Sequence, residues 1–206
     1  MKHFLLFLLL LTPEPPQASA QGPGVVARRT GTFADSRLTE SSGLVVSRTH
    51  PGVLWTINDS GNDPELFRTD TTGAALATLR VRGAINIDWE AVGRGSCGPT
   101  DCLIIGDIGD NAEQRRSIVL YRIPEPPVNK AIGFTPIAEA LHVRYPDRPH
   151  DAEALYVEPD GGVVLVTKGR SGGVLTFRVP GSAWGTRTIV TATRLPVMGS
   201  DGKPQY

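Results

Sequence analysis

The sequence predicts an all-β fold assembled from repeated four-stranded units, and three observations carry that expectation. Beyond residue 20, helical periodicity is almost absent, whereas short runs rich in Val, Ile, Leu, Thr and Tyr recur between clusters of Gly, Pro, Asn and Asp. The 23 glycines and 17 prolines punctuate the chain as many short strands and tight turns require. The chain also aligns on itself: units open at Glu40-Ser-Ser-Gly-Leu44, Asp88-Trp-Glu-Ala-Val92 and Asp151-Ala-Glu-Ala-Leu155, spaced 48 and 63 residues apart.

The N-terminus has a separate purpose. Lys2 and His3 precede an apolar stretch from Phe4 to Leu11, prolines follow at 13, 15 and 16, and Ala18-Ser-Ala20 stands before Gln21. This pattern predicts a secretory signal peptide over residues 1–20. Its apolar stretch is far shorter than the roughly 20 residues of a membrane-spanning helix, and no later segment is apolar enough to span. The expected product is secreted or periplasmic, with an extension over 21–39 ahead of the repeats. Charge is balanced, with 21 basic and 21 acidic residues and no basic cluster, which argues against a nucleic-acid partner. In an oxidising compartment Cys97 and Cys102 read as a disulfide closing a tight loop. Without a nearby His pair, the two thiolates make only half a zinc site.

Within each unit the elements follow in the same order. After the opening strand comes a second apolar strand: Val53-Leu-Trp-Thr56, Cys102-Leu-Ile-Ile-Gly106 and Val163-Val-Leu-Val-Thr167. A polar turn follows it: Asn58-Asp-Ser-Gly61, Asp107-Ile-Gly-Asp-Asn111 and Lys168-Gly-Arg-Ser-Gly172. The third strands end alike, as Glu65-Leu-Phe-Arg68, Ile118-Val-Leu-Tyr-Arg122 and Val174-Leu-Thr-Phe-Arg178. A more variable fourth strand is expected over 75–81, 140–145 and 186–191. Four antiparallel strands per repeat describe a β-propeller blade, so the expected domain is 40–206, with blades at about 40–82, 88–145 and 151–195. Three blades leave a ring open, with strand edges and apolar faces bare. The sequence is therefore expected to be truncated at its C-terminus and to form part of a larger ring.

Together the opening motifs, the turns Asn58-Asp-Ser-Gly61 and Gly106-Asp-Ile-Gly-Asp-Asn111, and Tyr121-Arg-Ile-Pro-Glu-Pro126 resemble a group of uncharacterised exported bacterial β-propeller proteins of the WD40-like and NHL-like kind. The resemblance runs from about Glu40 to Val179 and is specific in the acidic turns. It implies a propeller of about six blades and transfers no reaction.

In a propeller, the start of each innermost strand and the turn between the second and third strands share one rim. The acids of the openings and turns are therefore expected around one mouth of the channel. The set comprises Glu40, Asn58, Asp59 and Asp63; then Asp88, Glu90, Asp107, Asp110 and Asn111; then His150, Asp151, Glu153, Lys168 and Arg170. Crowded carboxylates repel unless a cation, hydrogen bonds or basic neighbours neutralise them. An oxygen-rich, sulfur-free set suits calcium. Asp88, Glu90, Asp107, Asp110, Asn111, Asp151 and Glu153 are the expected ligands, and Asn58, Asp59 and Asp63 the expected binding residues. Asp and Asn in turns also bond their own backbone, a plainer use of the same residues. Trp55 and Trp89 are expected in the core, filling the wedge between blades.

Two functions follow. The first is a binding module whose calcium-holding mouth receives an extracellular or periplasmic ligand or protein. The alternative is a calcium-dependent hydrolase of phosphoesters or lactones, with Lys168 and Arg170 neutralising an anionic substrate and His150 as an acid–base candidate. No nucleophile motif is read from the chain, neither a serine-hydrolase, a zinc-protease nor a P-loop pattern, and Ser41 and Ser42 have no assigned base, so serine hydrolase chemistry is not expected. The sequence thus leaves open whether the protein is an enzyme.

Overall fold

In the computed structural model, residues 27–170, 172–198 and 204–205 are described; the expected signal peptide lies outside them. They form three main sheets, each built on four antiparallel strands, with one short parallel strand added to the edge of the second. The first is a meander of β1 (Ser41–Val46), β2 (Val53–Asn58), β3 (Glu65–Asp70) and β4 (Ala75–Arg80). The second contains β5 (Trp89–Cys97), β6 (Thr100–Asp107), β7 (Ile118–Pro124) and β8 (Glu139–Arg144). The third begins with β9 (Ala152–Val157), β10 (Val163–Thr167) and β11 (Thr176–Val179).

The third sheet differs from expectation in its last strand. The alternating stretch 186–191 yields only β12 (Val190–Thr191), which pairs in parallel with β8 of the second sheet. The fourth strand of the third sheet is instead β13 (Thr193–Leu195), with Phe177 opposite Arg194. A short pair, β14 (Val197–Met198) and β15 (Pro204–Gln205), ends the described chain, and the described residues contain no α-helix.

Strand periodicity explains how the sheets stack. Successive side chains of β6 point to opposite faces. Leu103 and Ile105 therefore join Trp55, Ile57, Leu66 and Trp89 in a core between the first and second sheets. Ile104 faces the other way, into a core with Leu120, Leu141, Leu165 and Phe177 between the second and third. Both faces of the second sheet are thus buried, and β6 is apolar on both. Trp55 and Trp89 are fully buried in this core, as their expected core packing requires. The opening strands β1, β5 and β9 lie side by side. Glycines permit the close approach: a Cβ on Gly93 would lie 2.5 Å from a Leu155 methyl, and one on Gly106 2.8 Å from the other.

Cys97 and Cys102 form a disulfide at a Cα–Cα distance of 5.6 Å, closing the β5–β6 hairpin. No described helix is long and apolar enough to cross a membrane.

Candidate metal centre

The side-by-side packing of β1, β5 and β9 brings the unit openings and polar turns of neighbouring sheets together. Asp88 precedes β5 and Glu90 lies within it, where a register shift between Trp89 and Ala91 sets the chain against β6. Asp59 follows β2, while Asp151 and Glu153 sit at the start of β9. Ligand oxygens of Asp59, Asp88 and Glu90 lie within 4.8 Å of one another, as do those of Glu90, Asp151 and Glu153. The buried Glu90 belongs to both groups, so five carboxylates form one continuous cluster across all three sheets.

The cluster is incompletely neutralised. Lys168 Nζ donates to Glu153 at 2.5 Å, and Arg170 Nε donates to Asp151 at 2.7 Å. The other Asp151 oxygen accepts the Asp110 backbone N–H at 2.9 Å. Two cations thus pair directly with the cluster, and among the described residues Asp59, Asp88 and Glu90 have no ion-pair partner. Burial, followed by the charges of Asp59, Glu153 and Asp88, pushes the Glu90 carboxyl up to about 8 despite the opposing Lys168. Asp88 is raised too, chiefly by burial and then by Asp59.

A second layer braces this surface. Asp107 is fully buried, and its Oδ1 accepts the Asp88 backbone N–H at 3.0 Å and Arg115 Nη1 at 2.8 Å. Its Oδ2 is buried with no hydrogen-bond partner among the described residues. Arg115 also donates to the Gly109 carbonyl at 2.7 Å, and its backbone N–H reaches Asp110 Oδ2 at 2.7 Å. Gly109 is forced by space, because a Cβ there would overlap the Asp88 and Glu90 carboxylates.

Comparison with protein-family models, curated proteins and solved structures found no match to this chain. What the site does must therefore be read from its own chemistry.

The remaining expected residues divide by surroundings. Asn111 lies beside the cluster, its Oδ1 accepting Arg170 Nη2 at 2.5 Å. Asn58 is buried and braces the backbone: its amide donates to the Arg37 carbonyl and its Oδ1 accepts the Glu40 N–H. Glu40 accepts from the Asn62 amide at 3.3 Å. Asp63 is exposed and pairs with Arg80 at 3.2 Å. His150 is buried; its Nε2 lies 3.0 Å from Asp147, and its ring packs against Tyr145 and Phe177, each at a centroid distance of 5.0 Å.

The reading that the chain has no serine-hydrolase pattern is corrected by Gly169-Arg-Ser-Gly-Gly173, which spells Gly-x-Ser-x-Gly, but this string joins β10 to β11 rather than a strand to a helix. It therefore lacks the strand-to-helix elbow that exposes a hydrolase serine. Sequence reasoning missed Arg115, which ties the second polar turn together. The adjacent Arg115-Arg116 pair, just beyond a turn with two acids and an amide, was the available signal.

Proposed function

We propose that the cluster of Asp59, Asp88, Glu90, Asp151 and Glu153 binds a divalent cation, calcium by preference, and that the chain is an exported β-propeller whose metal-supported mouth receives an extracellular or periplasmic ligand. The observation that carries this reading is Glu90, a buried carboxylate shared by two ligand-distance groups and held against its own ionisation. A bound cation would offset the repulsion that raises it. The donors are all oxygens and come from several flexible side chains, which favours calcium over zinc or copper. Asp110 and Asn111 border the cluster; Asp107 supports it, and its unpaired Oδ2 adds negative potential from below.

The propeller reading rests on three four-stranded units in chain order with their opening strands adjacent. The signal-peptide pattern and the disulfide support export. Lys168 and Arg170 are engaged by Glu153 and Asp151, so they support the binding module more directly than a hydrolase.

Calcium titration followed by calorimetry tests the site. Saturable binding to the full chain, weakened at least tenfold by Asp88→Asn or Glu153→Gln, is expected from the loss of one carboxylate. Absence of calcium heat at pH 8 rejects the reading.

A further inference from the structure

The arginines that close the three third strands occupy equivalent places in the repeat but meet different surroundings. Arg122 on β7 donates to Glu139 at 2.6 Å and covers the Trp184 ring at 4.3 Å. Arg178 on β11 pairs with Glu158 at 2.6 Å and Asp160 at 2.5 Å. Arg68 on β3 sits opposite Trp55 on one side and Ala77 on the other. No described residue accepts a hydrogen bond from its guanidinium, and its Nε is buried without a partner. The other two members of the repeat show what this position ordinarily holds: a carboxylate.

Arg68 also lines a cleft of about 540 Å³ between β3–β4 and the loop from β7 to β8. That loop is held against the first sheet by paired backbone bonds: the Arg80 N–H donates to the Gly133 carbonyl and the Thr135 N–H to the Arg80 carbonyl, both at 3.0 Å. Lys130 and Asn129 stand on the loop side, Leu76, Val128 and Ile132 supply apolar surface, and no lining residue is acidic. Asp35, bonded to nearby Thr78, is committed to Arg37 at 2.9 Å. The volume falls in the range of small-molecule sites, although the cleft is open to solvent and about as polar as it is apolar. A partly buried guanidinium facing such a space pairs best with a planar carboxylate, which it can grip with two parallel hydrogen bonds.

We propose that this cleft binds a small organic carboxylate, with Arg68 gripping the anionic head, Lys130 adding charge at the entrance, and Leu76, Val128 and Ile132 receiving the hydrocarbon body. The site is separate from the acidic cluster. Its test is run in the presence of a chelator, so the outcome does not depend on the metal reading.

The probe is hexanoate, titrated into the full chain and followed by NMR, with hexanamide as its neutral counterpart. Saturable hexanoate binding is expected, with hexanamide at least tenfold weaker. Arg68→Gln should weaken hexanoate at least tenfold and Lys130→Gln about threefold. Arg122→Gln should leave the affinity unchanged. Circular dichroism reports whether Arg68→Gln folds; if it does not, the exposed Lys130→Gln carries the comparison. Equal affinity for acid and amide, lack of saturation, or indifference to the substitutions in both Arg68 and Lys130 overturns the proposal.

Discussion

Glu90 ties the charge state of the site to its occupancy, and the size of that coupling follows from its surroundings. The carboxyl is pushed from its ordinary 4.5 up to about 8 by burial and by Asp59, Glu153 and Asp88. At pH 8 about half of the chains carry Glu90 ionised, and at pH 6 about one in a hundred. A cation needs the ionised form, so calcium affinity should rise about 50-fold between pH 6 and pH 8 from this group alone.

The effect on stability has the opposite sign. Because the folded carboxyl holds its proton more tightly than the unfolded one, metal-free stability falls as pH climbs from about 4.5 and levels off above about 8. Saturating calcium should remove that decline. Calorimetry at pH 6, 7 and 8, in two buffers of different ionisation heat, measures both affinity and protons released. The expected release is about one proton per calcium at pH 6 and about half at pH 8. Affinity constant within about threefold across this range would refute the reasoning.

Other expectations follow from the bracing groups. Arg115→Met leaves the fully buried Asp107 carboxylate without its ion-pair partner, and denaturant unfolding should show a loss of about 3 kcal/mol. Gly109→Ala should displace the Asp88 and Glu90 carboxylates and weaken calcium binding about tenfold, while circular dichroism retains its strand signature. Replacing both Cys97 and Cys102 with Ser should cost about 2 kcal/mol in chemical unfolding, since the disulfide closes only a short loop. Gly93→Val should destabilise the packing of the second sheet on the third by about 2 kcal/mol, because its side chain would collide with Leu155.

The strands were legible wherever alternation and turn residues agreed. Val53–Asn58 and Val163–Thr167 are bounded by glycine turns and read clearly as second strands of their units. The stretch 186–191 alternates too, but most of it is not paired, and only Val190 and Thr191 reach the edge of β8. Local pattern does not reveal which sheet edge lies within reach, and this explains the misplaced fourth strand.

The site divides in the same way. The periodic acids at 88, 90, 151 and 153 announced a shared cluster, because each lies at the opening of a strand at an equivalent place. The shared membership of Glu90 depends on the β5 register shift, a backbone detail with no spelling in the sequence. His150 next to Asp151 looked like part of the same chemistry. Its buried ring packs instead against Tyr145 and Phe177, and its Nε2 faces Asp147. The unpaired state of Arg68 was likewise invisible, since all three third strands end in the same residue.

Native mass spectrometry of the full chain with calcium present, alongside Glu90→Gln, tests the metal centre most directly. The account predicts a calcium-sized mass increment on the wild-type chain that is lost on addition of a chelator and is absent from Glu90→Gln. A wild-type chain that stays metal-free, or a Glu90→Gln chain that retains the same increment, would contradict it.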